Sequence, residues 1–332
     1  MHIELLEILR CPQTGQRLLL EKPEYCGERI HSGSLVSEDA KNRYPIRGFV
    51  PRFVSESNYA DNFGLQWNEF PQTQLDSYSG HPISANRFWK ATGWHPDDMY
   101  GKWALDVGCG AGRFAEVALR AGATVVALDY STAVDACFAN LKHHRNLHVV
   151  QGDIYALPFP KGFFPYIYSL GVLQHTPDVQ TAFAALPPML AENGQLCADF
   201  YWKRLKTLLH LKYLLRPIAK GIPKDRLFAL LKRWVPVLLP LSQWLGRIPI
   251  AGGALKRMMP VADYTDIYPL SISQLQEWAL LDTFDMLAPE HDNPQTTETV
   301  KHWFEQANLT GVEVFHEGHL VGRGCKKHDS GH

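Results

Sequence analysis

The chain has 332 residues, 45% of them hydrophobic, enough for one large domain with additions or for two domains; its composition excludes a disordered chain and a disulfide scaffold. Six cysteines, at positions 11, 26, 109, 137, 197 and 325, show no framework spacing. The opening MHIELLEILRCPQTG has neither a basic n-region nor an apolar h-region, so a reduced, cytoplasmic protein is expected. The net charge of −1 hides an asymmetry: between Tyr201 and Pro260 thirteen lysines and arginines face one acid, Asp225, a cationic island on an acidic remainder.

Residues 1–56 read as a small β-rich unit, with LLEILRCPQTGQRL, a polar middle and NRYPIRGFVPRFV. The framing Tyr44-Pro45-Ile46 and Gly48-Phe49-Val50-Pro51 resembles the small zinc-knuckle domain of the tRNA-methyltransferase activator family, in which two C-x-x-C pairs bind zinc. The ligands are degenerate here. Cys11 stands, but its partner position is Thr14, and the second pair falls at Ser37 and Ala40. One thiolate cannot build a four-ligand tetrahedral site, so no metal is expected and the unit should pack on its own apolar residues.

Residues 57–99, rich in aromatics and amides, predict short helices that form a cap. From Trp103 onward strands and helices alternate, with candidate strands at 103–107, 124–128, 147–151, 166–170, 195–200, 311–315 and 320–325. This order predicts an α/β fold: a doubly wound, Rossmann-like, seven-stranded sheet with an antiparallel edge strand, its core at 100–200 and its closing strands within 266–328.

The intervening 201–265 reads as a basic helical insertion. Its longest apolar stretch, Val235 to Leu255, is interrupted by Pro236, Pro240, Arg247 and Pro249, so no membrane span is expected. Leu227, Leu230, Leu231 and Trp234 fall at i, i+3, i+4 and i+7, one predicted helical face among Lys224, Arg226, Lys232 and Arg233. Two readings follow: a lid packed over an acceptor site, and a peripheral contact with the inner membrane surface through 203–247.

The first core strand ends in Gly108-Cys109-Gly110-Ala111-Gly112. A dinucleotide-binding G-x-G-x-x-G turn needs its third glycine one residue later, where Arg113 stands, which disfavours an NAD(P)-dependent oxidoreductase. Four stretches in order, LDVGCGAG, ALDYS, VVQGDIYALPF and IYSLGVLQHTPD, make residues 100–200 similar to class I S-adenosylmethionine-dependent methyltransferases of the small-molecule and quinone-pathway group.

That resemblance implies S-adenosylmethionine as cofactor and gives each residue an expected role. Asp106 would reach the methionine amino group, and Gly108, Cys109, Gly110 and Gly112 would form the turn against the methionyl and ribose parts. Asp129 would accept the ribose hydroxyls, with Tyr130 on the adenine edge. Asp153 would accept the adenine amino group beside the Ile154 N–H, and Leu170 to His175 would floor the site next to the methyl. An acid at a strand end also commonly caps the next helix, which is the competing reading for each of the three. His175 is the nearest side chain able to take a proton, against the alternative of a hydrogen-bonded structural histidine.

Trp67, Tyr268, Asp282, Asp285, His291 and Gln295 are candidates for the acceptor pocket. Phe63, Gln66, Trp67 and Arg87 are expected to close over the cofactor, Arg87 on its carboxylate. The expected function is methyl transfer to a small, hydrophobic or lipid-linked acceptor by in-line attack on the sulfonium methyl. A non-catalytic cofactor-binding protein and an RNA methyltransferase are the alternatives. The latter is weakened because SLGVLQHT stands where base-methylating relatives carry an N/D-P-P-Y tetrapeptide. The acceptor atom and the oligomeric state have no signature in this sequence.

Overall fold

The computed structural model describes residues 1–55, 61–203 and 211–327. Helix α1 (Ile3–Ile8) and four antiparallel strands, β1 (Leu18–Cys26), β2 (Arg29–Ser37), β3 (Arg43–Arg47) and β4 (Val50–Pro51), build the front of the chain. Their inward residues, among them Leu5, Leu9, Leu18, Ile30, Leu35 and Ile46, belong to one apolar core continuous with that of the central sheet. Cys11 is part of it, its Sγ 3.3 Å from the Tyr44 hydroxyl.

A cap follows in short helices: α2 (Asp61–Glu69), α3 (Asp76–Ser79), α4 (Ile83–Thr92) and α5 (Pro96–Met99). Then strands and helices alternate as β5 (Trp103–Val107), α6 (Arg113–Arg120), β6 (Thr124–Asp129), α7 (Ala133–Leu141), β7 (Leu147–Gln151), β8 (Phe164–Ser169), α8 (Val179–Ala184) and β9 (Leu190–Phe200). These strands are almost wholly buried because helices cover both faces, which explains their continuous apolar runs.

The seven-stranded sheet has the order β10-β11-β9-β8-β5-β6-β7, where β10 (Leu309–Glu317) and β11 (His319–Lys326) close the chain. Pairings from β5 to β9 are parallel, and β11 enters antiparallel between β9 and β10. The antiparallel strand of the predicted edge thus sits one place in from it.

The front unit docks on the opposite edge, β7. Phe53 N donates to Gln151 O at 2.8 Å, and Arg52 forms a parallel bridge with Gln151. The buried Arg52 guanidinium reaches Gln151 Oε1 at 2.9 Å and Asp135 Oδ1 at 2.6 Å. Beside this seam His148, 4% exposed, lies between Trp103, stacked at 5.2 Å, and His2. Burial, with His2 next to it, pushes its imidazole down to about 3.

In the unfolded chain a histidine titrates near 6.5, so between about pH 6.5 and 3 the unfolded state binds the extra proton and stability falls on acidification, by about 1.4 kcal/mol per pH unit. Urea unfolding at pH 7 and pH 5 is therefore expected to show a loss of about 2 kcal/mol from this group, absent in His148→Phe. An unchanged difference in the variant would assign the loss elsewhere.

Beyond β9 the chain forms α9 (Leu211–Lys220), α10 (Lys224–Gly246), α11 (Gly252–Arg257), α12 (Ile272–Leu287) and α13 (Thr297–Gln306). Residues 204–210 of the basic insertion lie outside the described residues. α12 opens on a capping box between Ser271 and Gln274. α10 runs on through Pro236 and Pro240, which are both exposed, so water can take the carbonyls that each proline leaves without a donor.

The apolar face predicted for α10 is divided. Leu227 and Leu231 are buried with Phe228, Val235 and Leu239 against α12, whereas Leu230 and Trp234 point outward, 45% and 53% exposed. A helix 23 residues long carries enough apolar residues for two stripes, and spacing by itself does not say which one packs. Among the described residues no helix is long and apolar enough to cross a membrane.

Candidate active site

The carboxyl ends of β5, β6, β8 and β9 open into a cavity of about 830 Å³, walled on the other side by the cap and α12. That is within the range of small-molecule sites, large enough for a cofactor and an acceptor together. Its floor is the turn after β5. Gly108 and Gly110 adopt φ of +82° and +52°, and a Cβ on Gly108 would stand 2.4 Å from Val172 Cγ1, so these two positions demand glycine. Trp67 lies over Gly110, its indole Nε1 3.1 Å from where a Cβ would be.

Asp129 ends β6 at the cavity wall. Its Oδ2 accepts from Gly110 N at 2.9 Å, and its Oδ1 from the N and Oγ of Ser131 at 2.8 and 2.7 Å. Burial pushes its carboxyl up, with these hydrogen bonds acting against the shift. Tyr130, Ile154 and Leu170 line the same cavity, as do Cys109, Phe63 and Gln66.

Five predicted residues stand apart from the cavity lining. Asp106 is 2% exposed inside β5, with Oδ2 lacking a hydrogen-bond partner; burial, and then Asp129, pushes its carboxyl well up. Gly112 serves packing: a Cβ there would meet Leu141 Cδ1 at 2.6 Å, so it brings α6 onto α7. Asp153 caps the turn that follows β7, accepting from Tyr155 N at 3.0 Å. Gln295 pairs through its backbone with Tyr201 and Lys203, and His291 enters through its carbonyl.

That carbonyl defines the chemistry of His175. The His175 Nδ1 is 3.1 Å from His291 O, and a carbonyl only accepts, so Nδ1 carries the hydrogen and Nε2 is the nitrogen with the lone pair in the neutral ring. Nε2 is buried without a hydrogen-bond partner, and the ring is held between Phe63 and Tyr201 at 5.4 and 5.3 Å. His175 lines the cavity.

Arg87 also lines it, but its guanidinium is already committed. Nη2 is 2.7 Å from Asp199 Oδ2, and Asp199, 1% exposed, also accepts from Gly171 N. Burial would raise the Asp199 carboxyl; Arg87 first, then His319 and the Gly171 N–H, together offset it and hold the group below the usual carboxylate range. Arg87 thus stands in the cavity wall as one half of a buried ion pair.

The far wall comes from α12 and the segment before it. Asp282 accepts from Tyr264 Oη at 2.5 Å, Gln74 Nε2 at 3.1 Å and Trp278 Nε1 at 3.2 Å, and burial pushes its carboxyl up to about 6. Tyr268 stacks on Tyr264 at 5.1 Å, and Tyr201 Oη donates to Asp285 at 3.4 Å. Tyr201, Tyr264, Trp278, Asp199 and Arg113 were not singled out as site residues. Tyr201, directly after the fifth core strand, carried a usable signal: strand ends form the sites of open α/β sheets. None of the cavity's lining residues comes from α10, which packs on α12 behind the cavity wall, whereas Tyr201 and Tyr264 at the two ends of the insertion line it.

Residues 105–198 match the family described as methyltransferase domain, and residues 2–48 match the Trm112p-like protein family. The chain is similar to a sterol 24-C-methyltransferase of Pneumocystis carinii, 31% identical over 33% of this chain and 30% of that protein. It is also similar to a ubiquinone biosynthesis O-methyltransferase of Citrobacter koseri, 26% identical over 41% of this chain and 61% of that protein. It thus spans from about a third to three fifths of these relatives' length. The solved CurJ carbon methyltransferase aligns over 82% of this chain and 62% of that one, at 14% identity and a TM-score of 0.45.

The glycine turn, Asp129 at the end of β6 and the side chains of Tyr130, Ile154 and Leu170 line one cavity, and S-adenosylmethionine is the cofactor that fits this lining. At its centre the chain carries an S-adenosylmethionine-dependent methyltransferase domain, preceded by a Trm112p-like unit.

Proposed function

We propose that the protein transfers the methyl group of S-adenosylmethionine to a small hydrophobic or lipid-linked acceptor bearing a protonated nucleophile, such as a hydroxyl. The observation that carries this is the His175 Nε2, buried without a hydrogen-bond partner among the described residues, on a side chain that lines a cavity whose far wall is aromatic. When bound, the cofactor supplies an electrophilic methyl on a sulfonium centre.

The chain's own residues do the rest. Gly108 and Gly110 let backbone approach the ligand, and Asp129 at the end of β6 accepts from the ribose hydroxyls. Trp67, Tyr201, Tyr264, Tyr268 and Trp278 exclude water and orient an apolar body, while Asp282 and Asp285 are placed to meet a polar end. His175 takes the proton that the nucleophile releases and is kept in the right tautomer by His291 O.

The test is incubation of the protein with methyl-labelled cofactor and a total lipid extract. Label entering the organic phase, in a single acceptor fraction, is expected; label confined to water-soluble acceptors would overturn the lipid class. For the cofactor half, Asp129→Ala should weaken S-adenosylhomocysteine binding by about 1–3 kcal/mol, because two hydroxyls lose a charged acceptor. Calorimetry on the variant, with its unfolding midpoint as a fold check, reads this directly. Unchanged affinity would mean that Asp129 does not hold the ribose.

A further inference from the structure

α10 has two apolar stripes, and the cavity accounts for only one. The inward stripe packs on α12, the helix that supplies Trp278, Asp282 and Asp285 to the cavity wall. The outward one is Leu230, Trp234, Val237, Leu241 and Trp244, at i, i+4, i+7, i+11 and i+14, each between 44% and 61% exposed. Five large apolar side chains in a continuous exposed row on one helix are more than scattered surface residues and mark a surface that something covers.

Charge selects the occupant. Arg226, Arg233 and Arg247 border the row on one side, all exposed, and the helix carries a single acid, Asp225. A second copy of the chain laid against this row would set arginines against arginines, whereas an anionic lipid surface complements them. Trp234 and Trp244 are the residue type that settles at the boundary between headgroups and acyl chains.

We infer that the outward face of α10 docks the protein on anionic membranes, with the helix lying in the headgroup plane. Lys232, by contrast, is occupied with Glu69 at 2.8 Å and faces away from the row. The inference deepens the lipid-linked reading and rests on it for what is delivered: a docked α10 is one helix layer from the acceptor wall, about 8–10 Å between axes. Vesicle binding needs neither cofactor nor turnover, so the two readings fail separately.

The experiment is co-sedimentation with vesicles of phosphatidylcholine, with and without phosphatidylglycerol. The wild-type protein is expected to pellet with anionic vesicles at low salt, to be released as salt rises, and to stay in the supernatant with neutral ones. Arg226→Glu/Arg233→Glu and, independently, Trp234→Ala/Trp244→Ala should each lower vesicle affinity about tenfold or more. All four residues are exposed, and unchanged unfolding midpoints establish that the variants fold.

Wild-type protein remaining in the supernatant with anionic vesicles at low salt would overturn the inference. So would a concentration-dependent dimer in sedimentation velocity that Leu241→Glu abolishes, which would make the row a contact between copies.

Discussion

Arg87→Met is expected to destabilise the protein by about 3 kcal/mol, because it leaves the Asp199 carboxylate buried with no counter-charge. The lower end of the range for broken buried pairs applies, since the Arg87 side chain keeps 23% of its exposure. Arg87→Met/Asp199→Asn should recover most of the loss: asparagine still accepts from Gly171 N, and the charge is gone. Denaturant unfolding of the two variants decides this, and a double variant no more stable than the single one would show that the loss is one of packing.

The pH dependence should also change sign. In the wild type the Asp199 carboxyl is depressed, so its stabilising contribution is complete above the unfolded value near 3.9 and fades as pH falls through the folded one. Without Arg87 the same carboxyl rises above its unfolded value, and the variant should gain stability as pH drops from 7 towards 5.

His175→Ala is expected to lower kcat about 10²- to 10⁴-fold on the acceptor identified by lipid labelling, while cofactor affinity stays within a few-fold. On the proposed function the imidazole stands on the acceptor side, where its ring meets Tyr201 at 5.3 Å beside the Tyr201–Asp285 hydrogen bond. Single-turnover kinetics beside calorimetry separate the two quantities. A large loss of cofactor binding would move His175 into the cofactor pocket, and an unchanged kcat would mean that the acceptor's proton leaves by another path.

What could be read from the sequence were features whose cause is local. The glycine turn is dictated by the φ of two residues, and the core strands by apolar runs that only a doubly covered parallel sheet produces. The shared place of Gly108, Asp129 and Leu170 in one cavity followed, since each stands at the carboxyl end of its own parallel strand, β5, β6 or β8.

Residues whose role depends on a distant partner were not legible. Nothing near Arg87 announces Asp199, 112 positions away, and nothing in EHDNPQT tells that His291 contributes a carbonyl and Gln295 a backbone bridge. Three acids in register suggested three ligand contacts, but Asp153 became a cap and Asp106 is sealed inside β5, because the residue spacing is the same whether a strand-end acid faces a ligand, a helix terminus or the core.

The seam between the front unit and β7 has a consequence for dilution. Arg52 and Phe53 occupy part of the edge of a sheet, a surface that an unfused partner would hold only above its dissociation constant. Carried on the same chain, they meet that edge at an effective concentration of order millimolar, whatever the abundance of the protein. Coverage of β7 is then a first-order event, set by the chain and not by how many molecules a cell makes.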